Sequence, residues 1–420
     1  MEAVRGHFDA GIVGTFDVEN FGDLLFPLIA DEALSRRDSR IRVHAYSMHA
    51  KSTAEWPYAV SSVADLNDAL PQLSALLVGG GQIVRFDRRY PVPAPAGVEA
   101  PFAYWLTPAA HAALLGKPVV WNAVGVSLGW PRTAWHEELI RDVLMASAFI
   151  GVRDRRSQAA LATLAPAAPI QVLPDTAFGV SRLWPLADES RAFAAWRAEL
   201  GLRGRYLVMQ ATNAVARRHA EIETLAEKMG VSILLLPICP CHGDRVEVMP
   251  ASSRPVFASR GWPAPALVCE ILGRAEFVVA SSLHACITAL SYGVPVARVR
   301  IYWGPSKYDL LDAFTGVADL DDPVAIARLA ARGRHVEALA RNYADALEAY
   351  WDGVCHTVLH PSPSQCEHAR RTMLDWTARA TGGRGRPGAV YFASAWLRDR
   401  LSRFLTEERM VLRRWLSRRP

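Results

Sequence analysis

Phe277-Val278-Val279-Ala280-Ser281-Ser282-Leu283-His284-Ala285-Cys286-Ile287-Thr288-Ala289-Leu290-Ser291-Tyr292-Gly293-Val294-Pro295-Val296 is the stretch on which the reading of the chain turns. Its first four residues are continuously apolar, which predicts a strand covered on both faces. Ser281 and Ser282 follow, and a serine hydroxyl can accept from the free amides at a helix start. Leu283 to Tyr292 predicts a short helix, stopped by Gly293 and Pro295, and Val294 to Val299 restarts a strand. His284 then falls in the first turn of a helix, at the carboxyl end of a parallel strand. Open α/β sheets bind ligands at that end, and helix amino termini attract anions. An imidazole there can give a proton or hold a phosphate; it can equally cap or pack, and this stretch by itself leaves those readings open.

Outward from this element the same alternation recurs. Asp9–Thr15, Ile41–Tyr46, Ala75–Gly81, Pro118–Ala123, Ala148–Val152 and Ile170–Leu173 read as strands, with helical spacing between most of them. Residues 181–203 join this run to a second one, which begins at Tyr206–Gln210 and continues through a helix over 215–229, Ser232–Leu236, a helix over 264–273, the central stretch and a helix from Ser306. The expected fold class is α/β, with two doubly wound Rossmann-like domains facing a cleft in the manner of GT-B enzymes, followed by carboxy-terminal helices. The expected bounds are 1–183 and 200–330 for the two domains, 331–381 for a helical extension, and 389–420 for a basic amphipathic tail helix. Residues 85–101, rich in Arg and Pro, predict an irregular loop.

Half of the 420 residues are hydrophobic and about a fifth are charged, as in an ordinary globular protein. No apolar run approaches the ~18 residues that span a bilayer, and the first residues lack the form of a signal peptide. Six irregularly spaced cysteines do not make a disulfide framework, so a cytoplasmic protein with reduced thiols is expected. The formal charge of +5 is matched by residues 391–420 alone, where eight Arg face Asp399, Glu407 and Glu408. The body is therefore formally neutral, and nucleic acid is excluded as a partner on charge grounds. The tail stripe of Leu397, Leu401, Phe404, Leu405, Leu412, Trp415 and Leu416 suits either peripheral contact with an anionic inner membrane face or docking on protein.

Several residues carry candidate chemistry. Asn20 and Asp23 open the first helix after a Gly-containing loop, where they can cap it or orient sugar hydroxyls. Gly79, Gly80 and Gly81 end a strand, and three consecutive glycines mark a close approach to backbone. They match neither a Rossmann fingerprint nor a P-loop. Arg153, first after its strand, suits a carboxylate or phosphate, and Asp175 also lies just past a strand. Cys239-Pro240-Cys241-His242 lacks a second Cys/His pair at zinc spacing, so no metal is expected.

Taken in order, these residues resemble the polysaccharide pyruvyl transferase family. The family's G-x-x-x-x-N-x-G-D is matched loosely by Gly14 to Asp23, its G-G-G by Gly79 to Gly81, and its R-D-x-x-S by Arg153, Asp154 and Ser157. Its D-x-A-F is matched by Asp175, Ala177 and Phe178. Its S-x-R-L-H and G-V-P are matched by Ser281-Ser282-Leu283-His284 and Gly293-Val294-Pro295, with Ser282 where many members carry Arg. Lys307 corresponds to a lysine that follows. The resemblance covers about residues 9–315. It implies transfer of the pyruvyl unit of phosphoenolpyruvate to two hydroxyls of a glycan or lipid-linked saccharide, forming a ketal and releasing phosphate. It implies His284 as proton donor and Asp23 or Asp175 as base. Donor binding would fall to Arg153, Lys307, Ser281, Ser282, Gly80 and Gly81, and acceptor binding to Asn20 and Asp23. With Ser at 282, Arg298 or Arg300 is left to hold the donor carboxylate. No cofactor is implied. A nucleotide-sugar glycosyltransferase of GT-B form, and a non-catalytic member of a saccharide-assembly complex, are the competing readings. The sequence does not give the oligomeric state or the acceptor.

Overall fold

The computed structural model describes residues 6–85, 105–127, 134–248, 255–301 and 307–380. Continuous apolar runs become strands paired in two parallel sheets. The first holds seven strands, in spatial order Val60–Ser62, Ile41–Ser47, Phe8–Val13, Ala75–Val78, Val119–Val124, Phe149–Val152 and Ile170–Val172. The second holds six, in the order Val256–Ala258, Ser232–Leu236, Tyr206–Gln210, Phe277–Ala280, Val296–Arg298 and Val317–Asp319. Numbered along the chain within each sheet, both begin 3-2-1-4-5, the doubly wound order, so each sheet has a switch point between its first and fourth strands. Helices carry the crossovers, which buries both faces of the sheets and explains why Ala75–Val78 and Phe277–Ala280 are apolar at every position.

Two compact units result, and neither is continuous in sequence. One comprises the described parts of 1–18, 26–175 and 349–420; the other comprises Glu19–Leu25 and Thr176–Glu348. The bounds 1–183 and 200–330 expected from the alternation thus do not follow the compact units. A short piece of the first helix, Phe21–Arg37, counts with the second sheet, because Phe21 N–H donates to the Ile238 carbonyl at 3.0 Å and Cys241 N–H to the Glu19 carbonyl at 3.3 Å.

The last described helix is part of the first unit's core. Helix Pro363–Ala380 packs on helices Ala134–Ala146 and Leu106–Leu114. Ala369, Met373 and Trp376 share one core with Leu139, Ile140, Trp105 and Trp121. Where a helix from Ser306 was expected, the described residues form only the short 3₁₀ turn Asp309–Ala313. Most of the predicted loop over 85–101, and the whole predicted tail over 389–420, lie outside the described residues. No helix among the described residues is long and apolar enough to cross a membrane. None of the six cysteines forms a disulfide.

Because Trp376 is a fully buried part of the first unit's core, Trp376→Ala should cost about 3–5 kcal/mol. Arg371→Ala, on the exposed face of the same helix, should stay within about 0.5 kcal/mol. Urea unfolding followed by far-UV circular dichroism measures both; equal midpoints would mean that the helix is not a core element.

Candidate functional site

In the second unit, the candidate site is built on the switch point. Gln210 is the last residue of the first strand of that sheet, and Ser281 and Ser282 directly follow the fourth. The Gln210 carboxamide oxygen accepts from Ser281 N–H at 2.9 Å, from Ser281 Oγ at 3.2 Å and from Ser282 N–H at 2.9 Å. Its nitrogen donates to Asp244 Oδ2 at 2.8 Å, and the same carboxylate oxygen accepts from Ile238 and Cys239 N–H, both at 2.9 Å. Burial pushes the Asp244 carboxyl above the usual range, while the Gln210 side chain and these two amides pull it back. The chain Ser281/Ser282–Gln210–Asp244–Ile238/Cys239 therefore fixes the turn that precedes the His284 helix.

Ser282 caps that helix, its Oγ accepting from Ala285 N–H. His284 lies in the first turn and is mostly buried. Across its ring lies Gly22: a Cβ at that position would come within 1.9 Å of His284 Nδ1 and 2.4 Å of Cγ. Only glycine lets the backbone approach this closely. On the same turn, Asn20 Oδ1 accepts from Gly22 N–H at 3.2 Å, and Asn20 Nδ2 donates to Asp23 Oδ2 at 2.9 Å. Asn20 thus caps the helix amide and also holds the Asp23 carboxylate. The second unit thereby brings Asn20, Asp23, Ser281, Ser282 and His284 onto neighbouring backbone segments.

Also in the second unit, exposed Lys307 stands 5.3 Å from the centre of the Tyr308 ring. Arg298 is buried and pairs with Asp312 and Asp319, each at 2.7 Å, and Arg300 meets Asp319 at 2.7 Å. Both guanidiniums pair with carboxylates of their own unit. Burial pushes the Cys286 thiol on the His284 helix up to about 12, which removes it as a nucleophile near neutral pH.

The first unit carries Gly80, Gly81, Arg153 and Asp175. Gly79 and Gly81 have φ of +39° and +69°, and Gly79 N–H donates to the Val13 carbonyl at 2.7 Å across that sheet's switch point. Arg153 is buried, only 4 % exposed. One guanidinium nitrogen, Nη2, donates to Gln82 Oε1, and Nε lies 3.4 Å from Asp154 Oδ2. Asp175, also buried, stands 3.9 Å from Nη1, which makes no hydrogen bond. The group fits here because Gly125 leaves room: a Cβ on it would meet Arg153 at 2.5 Å. Asn122 braces the glycine turn, donating to the Gly79 carbonyl at 2.8 Å and accepting from Tyr350 Oη at 2.9 Å. A buried guanidinium with an unused donor is costly unless an anion completes it.

Sequence reasoning did not single out Gln82, Asn122 or Gln210. Asn122 is a buried polar residue inside the otherwise apolar strand Val119–Val124, and Gln210 one that closes an apolar run; for both, that is a usable signal.

Gly22→Ala should displace the His284 ring or the helix turn and lower stability by about 1–3 kcal/mol. Gly353→Ala, in a helix with nothing within 4 Å of its Cβ, should instead gain about 0.5–1 kcal/mol. Thermal unfolding together with histidine ring NMR checks this, and a Gly22→Ala protein with unchanged stability and ring signals contradicts the contact.

Among solved structures, the chain is similar to UDP-GlcNAc 2-epimerase from Methanocaldococcus jannaschii, at 11 % identity and a TM-score of 0.52, covering 83 % of this chain and 99 % of that one. It is also similar to UDP-GlcNAc 2-epimerase from Neisseria meningitidis bound to UDP-GlcNAc, at 12 % identity and a TM-score of 0.44, covering 88 % of this chain and 99 % of that one. The first of these likenesses identifies the fold, two parallel α/β sheets with carboxy-terminal helices of the GT-B-like kind. No match is found among curated proteins. The model of the family described as Polysaccharide pyruvyl transferase matches residues 20–301, from the Asn20 cap through the His284 helix to the strand after it, and the chain belongs to that family.

Proposed function

We propose that this protein transfers the pyruvyl unit of phosphoenolpyruvate to two hydroxyls of a glycan or lipid-linked saccharide, forming a cyclic ketal and releasing phosphate. The observation that carries the reading is the setting of His284, mostly buried in the first turn of its helix at the switch point and in contact with Gly22. Its role is to protonate the methylene carbon of the donor, which becomes the methyl group of the product. The carbon that carried the phosphate then develops oxocarbenium character. One acceptor hydroxyl adds there and the second displaces phosphate. The two hydroxyl protons lost are balanced by the proton on the new methyl group and one carried by phosphate or solvent.

The donor's phosphate and carboxylate call for fixed cationic donors. Arg153 suits that role, since its Nη1 makes no hydrogen bond inside the protein. Exposed Lys307 is assigned to the same charge. Gly80 and Gly81, with the backbone about Ser281 and Ser282, are assigned to closer contact with the donor. Asp23, partly exposed and oriented by Asn20, is the acceptor base, and Asn20 is assigned to the same acceptor. Asp175, buried beside Arg153, is the alternative base, and in either case it holds the guanidinium in position. Ser282 acts as a helix cap and does not replace the arginine found in other members. The reading involves no cofactor.

Phosphoenolpyruvate should raise the thermal midpoint and nucleoside diphosphates should not. Stabilisation by a nucleotide alone would favour a nucleotide-sugar enzyme, and by neither a non-catalytic assembly role. His284→Ala should lower turnover roughly 10²–10⁴-fold while keeping the phosphoenolpyruvate shift; full turnover in that variant would refute the acid assignment. Arg153→Lys, which keeps a charge but loses the fork, should lose the shift.

A further inference from the structure

The loop after the strand Ser232–Leu236 gathers three metal-ligating atoms that the proposed reaction does not use. Cys239 Sγ, Cys241 Sγ and a ring nitrogen of His242 lie within 4.8 Å of one another, and the two sulfurs are 3.6 Å apart. A tetrahedral zinc ion with Zn–S bonds of about 2.3 Å holds its sulfurs roughly 3.7–3.8 Å apart, and a sulfur and an imidazole nitrogen about 3.5 Å apart. A disulfide needs about 2.0 Å between sulfurs, and one joining residues i and i+2 closes a tight ring. The sulfur spacing therefore fits a shared ion better than a bond.

The local chain makes this donor set by design of the turn. Pro240 opens the 3₁₀ turn Pro240–His242, and Gly243, at φ +94°, lets the chain reverse directly after it. Cys239 is buried, Cys241 half-buried and His242 exposed, so an ion can enter from the histidine side and settle against the sulfurs. Behind them Asp244 accepts from Cys239 N–H and is itself held by Gln210, the kind of outer support that keeps metal ligands in place.

We propose that Cys239, Cys241 and His242 form a site for one soft or borderline divalent cation, zinc being the best match, with a fourth position open to water. Two sulfurs and an imidazole select such an ion over magnesium or calcium, which take oxygen ligands. Binding exchanges two thiol protons for the ion. Since Cys241 N–H donates to the Glu19 carbonyl and the Ile238 carbonyl accepts from Phe21 N–H, the ion would stiffen the loop that holds the Gly22 turn against His284. The site stands whatever reaction the protein performs.

The full-length protein, reduced and stripped with chelator, is titrated with Zn2+ against a chromogenic chelator and separately with Co2+. One equivalent of Zn2+ should bind, with thiolate-to-metal charge-transfer absorption for Co2+ and loss of two of the six thiols to a thiol reagent. His242→Ala, changed at an exposed side chain, should bind roughly tenfold or more weakly with the fold kept, and the Cys239→Ser, Cys241→Ser double variant should lose the absorption. Absence of the Co2+ absorption, equal affinity in wild type and both variants, or conversion of the two thiols to a disulfide without metal uptake would each overturn the proposal.

Discussion

A single carboxamide holds the carboxyl edge of the second sheet together. Parallel strands end with amides and carbonyls that no neighbour satisfies, and where the strand order reverses this deficit is concentrated. Gln210 meets it with both ends of one side chain: its oxygen receives the Ser281 and Ser282 amides, and its nitrogen reaches Asp244. Each such bond contributes only about 0.5–1.5 kcal/mol, but leaving buried donors unmet costs about 1–3 kcal/mol apiece. The turn into the His284 helix is therefore specified by a residue more than seventy positions earlier. The start of the histidine's helix is thereby fixed by contacts made far away in sequence.

The first unit solves a different problem. Arg153 is a buried cation whose partners are a neutral amide from Gln82, Asp175 at 3.9 Å and the neighbouring Asp154 carboxylate at 3.4 Å. Coulombic attraction at such spacing does not repay desolvation by itself. The backbone around it is correspondingly unusual. Ala123 has φ of +49°, and the pairing of its strand with Phe149–Val152 slips between Trp121 and Val124. Left-handed geometry at a residue with a Cβ costs of order 1–3 kcal/mol and persists where surrounding contacts over-determine it. Here the Asn122 bridge from the Gly79 carbonyl to Tyr350 supplies that determination.

Much of this was legible in the residues. Fully apolar runs of four to six residues announced the central strands, and the strand–serine–helix–Gly–Pro pattern placed His284 correctly in the first helical turn. What escaped were pieces too short to carry a period: Val60–Ser62, Val256–Ala258 and Val317–Asp319 are three-residue edge or near-edge strands, made by pairing and not by pattern. The affiliation of Glu19–Leu25 with the second sheet was also hidden. It depends on backbone bonds to residues near 240, which no local propensity encodes. The candidate site residues divide the same way. Those adjacent to strand ends in sequence, Arg153, Asp175 and His284, were visible. Gln82, Gln210 and Asn122 act through partners at long range, and the crowding of Gly22 on the imidazole appears only in three dimensions.

The bond from Tyr350 to Asn122 bears on how the gene can be cut. A fragment ending near residue 180 would retain every strand of the first sheet yet lack the phenol that steadies its glycine turn, and the indole of Trp376 would be missing from its interior. Conversely, a fragment starting near 200 would lack the short amino-terminal segment that shields its imidazole. Dissection at the middle of the chain would thus damage both halves, whereas excising 176–348 and rejoining the flanks would follow every unit boundary except those around Glu19–Leu25.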